Sequence, residues 1–236
     1  MKRSNVTISA AALLTIAGSA FGQVPDLRGI WQTRTMAYAD LETHRVIVDP
    51  PDGKIPYQPG ALARRQQNFA GRSTADPANK CFQPGVPRAT YLPTPFQVFQ
   101  DPAGVYVIYQ NVHAYRVIHL DGSPHNEGLE YAMGDSRGRW DGRTLVVDVT
   151  SFSGQTWFDM AGNYHSDALH VVERYTRTDR TNMTYEATIE DPKVFTRPWS
   201  IRVPLRLQTA PRVQLLEDEC EEDAQGRHHV SSLRLK

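Results

Sequence analysis

Short runs of β-branched and aromatic residues recur along the chain, and turn-forming residues separate many of them. The clearest run, residues 183–190, places Tyr185 and Ile189 on one face of an extended strand and polar residues on the other. Asp-Gly pairs such as Asp141-Gly142 suit the tight turns of β-hairpins. This pattern predicts an all-β fold, either a sandwich or an up-and-down barrel. The predicted strands are residues 30–36, 96–100, 105–111, 116–120, 144–150, 169–178, 184–190, 201–207 and 213–219.

Residues 50–95 follow a different pattern, because nine of the chain's 16 prolines fall there. Proline cannot donate to a strand ladder, so most of this stretch is excluded from the centre of a sheet. Residues 60–72 have the pattern of one short helix, with Leu62, Gln66 and Phe69 on one side. We interpret residues 50–95 as a proline-rich strap over the barrel, either a lid that gates it or an ordered insertion without that role.

The first residues predict a secretory signal peptide. Lys2 and Arg3 precede a short apolar run, residues 6–17, and small residues follow it. The run is short for a membrane span, and an uncleaved membrane anchor is the alternative. We therefore expect cleavage of residues 1–22. Residues 23–236 would form a single exported domain, periplasmic or extracellular, with no stable membrane insertion.

Charge and cysteine content narrow the choice of partner and compartment. The 26 basic and 26 acidic residues give a formal net charge of zero, and no basic stripe indicates a nucleic-acid partner. The two cysteines, Cys81 and Cys220, favour a disulfide in an exported protein, with two free buried thiols as the alternative. Closing so long a loop would stabilise the fold by about 4–5 kcal/mol in the chain-entropy model. The oligomeric state is left open.

Residues 26–31, Asp-Leu-Arg-Gly-Ile-Trp, resemble the Gly-x-Trp start of lipocalin-type barrels. The resemblance implies a calycin-type barrel in which Trp31 closes one end under a basic residue from a late strand. It also implies an internal cavity. Together with the strand pattern, it predicts an antiparallel lipocalin-like β-barrel with the proline-rich strap and little helix.

Longer motifs carry a second resemblance, which covers most of the chain after the signal peptide. These motifs are Cys81–Arg88, Gly134–Asp148, His165–Asp167 with Glu173-Arg174, Asp191–Trp199 and Cys220. The chain is similar to a family of exported, largely uncharacterised bacterial proteins. The resemblance implies an export signal and a barrel but brings no agreed activity. The tail departs from the family pattern at Cys220–Asp223 and at His228-His229, where the family more often has Cys-x-Glu and an asparagine.

His165 lies between two predicted strands, in a loop with several acids. A histidine beside a carboxylate is the usual unit of general acid/base catalysis. Asp159 or Asp167 would orient the ring, and Tyr164 would donate a hydrogen bond to a developing oxyanion. The alternative is a loop histidine that hydrogen-bonds the backbone and holds a turn.

Glu173 is a further catalytic candidate, because strand alternation turns it inward if Val171 and Tyr175 face the interior. A buried acid in an apolar setting would carry a proton, and the alternative is an ion pair with an arginine. Arg139 would bind a carboxylate or phenolate if it faces the cavity, and Asp135 either binds substrate or caps a turn. Three aromatic residues near strand ends complete the predicted substrate-binding set: Tyr109, Tyr115 and Trp157.

The sequence predicts no metal and no cofactor. His170 and Glu173 face opposite sides of a strand, and the sequence has no Cys-x-x-Cys or His-x-His pair. It has no glycine-rich nucleotide loop either. Gly134–Gly138 has the Gly-x-Ser-x-Gly form but lacks the parallel strand and helix that a hydrolase elbow needs.

Two functional hypotheses follow. The first is a cofactor-independent enzyme, a lyase, hydratase or isomerase, that performs acid/base chemistry on an apolar or aromatic substrate. The second is a periplasmic binding or carrier protein for the same kind of ligand, and a structural envelope protein with a filled core is a further possibility. An internal cavity with convergent titratable groups favours the enzyme, and a packed interior favours the structural role.

Overall fold

The computed structural model describes residues 24–222 and 228–232, and within these ranges nine strands close into a β-barrel. The predicted signal peptide lies outside the described residues. Around the barrel the strands run β1-β3-β4-β5-β6-β7-β8-β9-β10 and return to β1, while β2 pairs with Ser200 and Ile201 near the start of β10. The strands are β1 (Gly29–Thr33), β2 (Ile47–Asp49), β3 (Phe96–Gln100), β4 (Gly104–Tyr109), β5 (Tyr115–His119), β6 (Asp135–Asp141), β7 (Thr144–Thr150), β8 (His170–Arg177), β9 (Asn182–Glu190), β10 (Trp199–Leu207), β11 (Asp218–Glu222) and β12 (His228–Ser232).

The barrel closes because β1 has a different neighbour at each of its ends. Gly29 pairs with Val98 of β3, whereas Thr33 pairs with Leu205 of β10. The predicted all-β barrel is confirmed. It is mostly antiparallel, but β5 and β6 pair in parallel, because residues 120–134 cross between them instead of forming a hairpin.

Two sequence predictions of strands are corrected by the structure. Residues 213–217, part of a predicted strand, belong to a loop, and β11 begins only at Asp218, where it pairs with β12. Strand β6 was not predicted beyond its hairpin end, because its inner face carries Ser136 and Gly138 where the pattern requires apolar residues.

Side chains fill the barrel interior. The inward residues of β9 and β10 are buried and alternate with exposed or half-buried residues, most of them polar, as expected of strands with one buried face. An apolar void beside Val107 and Met183 has a volume of about 10 Å³, roughly the minimum for one water molecule. The lipocalin resemblance implies a ligand-sized internal cavity. At this place in the interior of the described barrel, the void is far too small for such a ligand.

Trp31, in the middle of β1, is completely buried. Its indole N–H donates a hydrogen bond to the Leu27 carbonyl oxygen at 2.8 Å. The guanidinium of Arg177, from β8, lies 5.6 Å from the centre of the indole ring, in the range of a cation–π contact.

The proline-rich strap contains the helices α1 (Pro59–Ala70) and α2 (Arg72–Ala75) and two 3₁₀ turns, Pro77–Lys80 and Arg88–Tyr91. The predicted disulfide is confirmed, since Cys81 and Cys220 are bonded and their Cα atoms lie 5.5 Å apart. In the described part of the chain, no helix combines the length and the apolar character needed to cross a membrane.

The strap packs against residues 151–169, the loop between β7 and β8. Tyr57 donates from its hydroxyl to Asn163 Oδ1 at 2.8 Å, and Arg65 Nε donates to the same oxygen. Gly162 has a φ of +81°, and a Cβ there would lie 2.7 Å from the Phe69 backbone nitrogen. The helix therefore lies directly on the loop.

Candidate functional site

His165 is buried under the strap, and only 2% of its surface is exposed. Its Nδ1 lies 2.8 Å from the Ser166 carbonyl oxygen and its Nε2 lies 2.7 Å from Thr156 Oγ1. Because a carbonyl oxygen only accepts, Nδ1 carries the proton and Nε2 accepts from the threonine hydroxyl. Burial lowers the pKa of His165, so the ring is held neutral.

The groups predicted to assist His165 have other partners. Tyr164 donates to the Ala61 carbonyl oxygen at 3.3 Å, and the Asp167 carboxylate is exposed and pairs with Lys193 at 2.7 Å. Asp159 is buried. Its carboxylate accepts hydrogen bonds from the backbone N–H groups of Leu41 and Ala161 and from the backbone and side-chain nitrogens of Asn163. Burial raises the pKa of Asp159 to about 6. The structure does not bring these groups together around the imidazole.

The pKa of His165 gives a testable dependence of stability on pH. In the folded protein this pKa lies below the unfolded value, so the unfolded chain binds more protons as pH falls through about 6.5. Relative to a His165→Gln variant, the unaltered protein should therefore lose stability as pH is lowered from 7 to 5, measured by urea unfolding at each pH. Parallel stability curves for the two proteins across this range would contradict the burial of a neutral ring.

Glu173 lies inside the barrel in a buried ion pair with Arg116. The guanidinium contacts both carboxylate oxygens, and the hydroxyls of Tyr175 and Tyr185 donate to Oε1 at 3.1 and 2.8 Å. Burial, together with the charge of Glu173, raises the pKa of Tyr185, so this phenol remains a donor. The sequence left two interpretations of Glu173, a proton carrier and an ion pair with an arginine. The structure has the ion pair, with Arg116.

A polar cleft opens in the barrel wall at the seam between β5 and β6. Only two residue pairs join these strands in the described register, Ile118 with Ser136 and His119 with Arg137. Beside the first residues of β5, where β6 has not yet begun and the loop that precedes it forms the wall, there is a cleft of about 470 Å³. We call it the seam cleft. Its lining residues are Gln83, Tyr115, Arg116, Val117, His119, Asn126, Glu130, Tyr131, Ala132, Met133, Gly134, Asp135 and Ser136.

The floor of the seam cleft is fixed by the ion pair behind it. Arg116 donates from Nε to Ser136 Oγ at 2.8 Å while its two other nitrogens contact Glu173. Since Ser136 Oγ accepts this bond, its own hydroxyl hydrogen is left to donate. Gly134 has a φ of +68°, and a Cβ there would lie 2.8 Å from the Phe152 ring, so the floor requires glycine at this position.

His125 links Asp135, which lines the seam cleft, to Asp148 of β7. Its Nδ1 lies 2.9 Å from Asp135 Oδ2 and its Nε2 lies 2.8 Å from Asp148 Oδ1, while His170 reaches the other oxygen of Asp148 at 3.0 Å. Each ring nitrogen of His125 therefore faces a carboxylate oxygen, and the ring bridges Asp135 and Asp148. Partial burial raises the pKa of Asp148, but the hydrogen bonds from His170 and His125 outweigh it and lower the pKa below its usual value.

The predicted substrate-binding residues fall in different places. Asp135 and Tyr115 line the seam cleft, whereas Tyr109 is buried inside the barrel and Trp157 is buried in the β7–β8 loop. Arg139 is exposed on the outer face of β6. The prediction that it binds substrate required it to face inward and is therefore wrong. The physical reason is strand alternation, since Trp140 packs against the core and turns its neighbour outward.

Arg116 and Gln83 were not predicted to share one site, and neither was His125, which contacts the lining residue Asp135. Ser136 belongs to a motif of the family resemblance, and the alternation of β5 would have placed Arg116 on the same face as Ile118. No periodic signal marks His125, because it lies in the irregular loop between β5 and β6. Among the residues that the structure describes, no group of three or more His, Cys, Asp or Glu side chains has the geometry to hold a metal ion.

The fold and the site together define a packed β-barrel with a polar cleft in its wall. Comparison with protein-family models gives no match, and comparison with curated proteins gives none either.

Proposed function

We propose that the protein is an exported small-molecule-binding protein whose ligand occupies the seam cleft. The observation that carries this proposal is a polar cleft of about 470 Å³ with a preorganised floor, since Ser136 is held by the buried Arg116–Glu173 pair. Clefts of this size, with a few fixed polar groups, are where small ligands bind.

The location of polar groups favours the seam cleft over the barrel interior. The interior is filled by large side chains such as Trp199 and Tyr185, which leaves no space near the void beside Met183 for a ligand. The seam cleft instead offers side chains that reach solvent, among them Gln83 and Glu130. The ligand we propose is accordingly polar, in contrast to the apolar or aromatic molecule expected from the sequence.

The structure supports ligand binding in the seam cleft better than a role for His165 in proton transfer. Both nitrogens of that ring have partners within the protein, and the strap covers it. A general base must come within hydrogen-bond reach of the proton it removes. In the structure, the strap and the β7–β8 loop lie between this ring and solvent, so a substrate would have to displace them.

Export is the second part of the proposal. The bond between Cys81 and Cys220 is consistent with an oxidising compartment, because disulfides are rare in the cytosol. The predicted signal peptide at residues 1–22 and the resemblance to exported bacterial proteins support the same location. We therefore propose a periplasmic or extracellular protein of that family.

Filling the seam cleft provides the test of ligand binding. We expect at least one probe from a panel of glucose, glucosamine, glucuronate, benzoate and benzylamine to raise the melting temperature of the full chain. At a tenfold excess over the dissociation constant, the shift should be about 3–6 °C. The Ala132→Trp variant should abolish this shift, because the indole occupies the cleft.

Ala103→Trp is the matched control, since Ala103 is exposed in the β3–β4 turn and lies outside the cleft. This variant should retain the shift caused by the probe. The proposal is contradicted if no probe stabilises the unaltered protein, or if the shift persists in Ala132→Trp.

A further inference from the structure

The seam cleft combines hydrogen-bond donors and acceptors that the fold leaves available. Ser136 has a hydroxyl hydrogen to donate, and Gln83 contributes an amide that can both donate and accept. Glu130, exposed at the edge, contributes acceptor oxygens, and the Asn126 amide lies 3.5 Å from the Tyr131 hydroxyl, a weak contact. A ligand that matches this set must donate and accept at several points.

The charges at the floor of the seam cleft are already compensated. Arg116 is neutralised by Glu173, and Asp135 is paired with Arg137 at 2.9 Å and with His125. Among the lining residues that the structure describes, Arg116 carries the one guanidinium and it is already paired, so an anion would find no unpaired guanidinium there and would meet Glu130 at the edge. A large apolar ligand would desolvate the polar groups without replacing their bonds to water, which is costly.

Aromatic rings stand beside these polar groups. Tyr115 is 66% exposed and Tyr131 is half-buried, and both line the seam cleft. Aromatic faces pack well against the C–H surfaces of a ring, while hydroxyl groups act as donor and acceptor at once.

We propose that the ligand of the seam cleft is a neutral saccharide or a similar hydroxyl-rich ring. The inference rests on the proposed binding function and names the ligand class of the same site. Ser136 would donate to a ring hydroxyl, Gln83 and Glu130 would accept and orient others, and Tyr115 would pack against the carbon face. The cleft volume of about 470 Å³ lies within the range for small ligands.

Isothermal titration of the full, oxidised chain with a matched series of probes tests the ligand class. Glucose, galactose and maltose are the neutral probes, glucuronate and glucosamine carry one charge of either sign, and benzoate and benzylamine lack hydroxyl groups. We expect a neutral sugar to bind, and to bind at least tenfold more tightly than glucuronate. Gln83→Ala should weaken this binding about three- to tenfold, the effect of one lost hydrogen bond.

Two variants separate the ligand class from the binding function. Gln67→Ala, on the exposed side of α1, is the matched control for Gln83→Ala and should leave affinity unchanged. If benzoate, benzylamine, glucosamine or glucuronate binds best and Ala132→Trp removes that binding, the proposal of a neutral saccharide is overturned and the cleft remains the binding site. If none of these seven probes binds, both the saccharide proposal and the binding proposal are overturned. Binding of a sugar that survives Ala132→Trp overturns both proposals.

Discussion

Replacing Glu173 with alanine should lower the free energy of unfolding by about 3–5 kcal/mol, the usual cost of leaving one member of a buried ion pair alone. Arg116 would keep its charge inside the barrel without a counter-ion, and the hydroxyls of Tyr175 and Tyr185 would lose their acceptor. Urea unfolding followed by tryptophan fluorescence measures the change.

A double variant, Arg116→Met with Glu173→Leu, is the control for this prediction. Removing both charges together should recover much of the lost stability, because apolar residues of similar size often replace a buried pair at little cost. A loss below about 1 kcal/mol for Glu173→Ala would show that water or another group compensates Arg116. The double variant also removes the partner of Ser136, so it should weaken ligand binding even where stability is recovered.

Removing the disulfide should have the second large effect. The bridge between Cys81 and Cys220 spans 139 residues of sequence, so the Cys81→Ser, Cys220→Ser double variant should lose about 4–5 kcal/mol in the chain-entropy model. Denaturant unfolding of this variant, beside the oxidised and reduced forms of the unaltered chain, measures the loss. The reduced form should match the double variant, and equal stability of the oxidised and reduced forms would contradict the prediction.

The strands with the strongest alternation were predictable from sequence, and those with mixed faces were not. In β9 and β10 every second residue is apolar, so their inner faces could be assigned directly. Strand β6 carries polar or small residues on both faces near its start, because its inner face meets Arg116 and the floor of the cleft. Its parallel pairing with β5 depends on the path of residues 120–134, which have no periodic pattern.

The candidate site could be predicted only in part, because its contacts join distant parts of the chain. A catalytic role was predicted for His165 because acids lie close to it in sequence. In the structure, however, Asp167 pairs with Lys193, and Asp159 accepts a hydrogen bond from the Leu41 backbone N–H. Ser136 and Arg116 are 20 residues apart, and Glu173 is 57 residues from Arg116. Neither spacing is encoded by strand or helix periodicity.

The position of a bound probe tests the central claim most directly. In ¹H–¹⁵N NMR spectra of the full chain, titration with the panel probe that gives the largest melting shift should move the backbone amide signals of the cleft, at Ala132, Gly134 and Val117. The amides of Ala187 and Ile201, whose side chains are completely buried, should stay unchanged. Shifts confined to Ala187 and Ile201 would place the ligand in the barrel interior and contradict the assignment of the seam cleft.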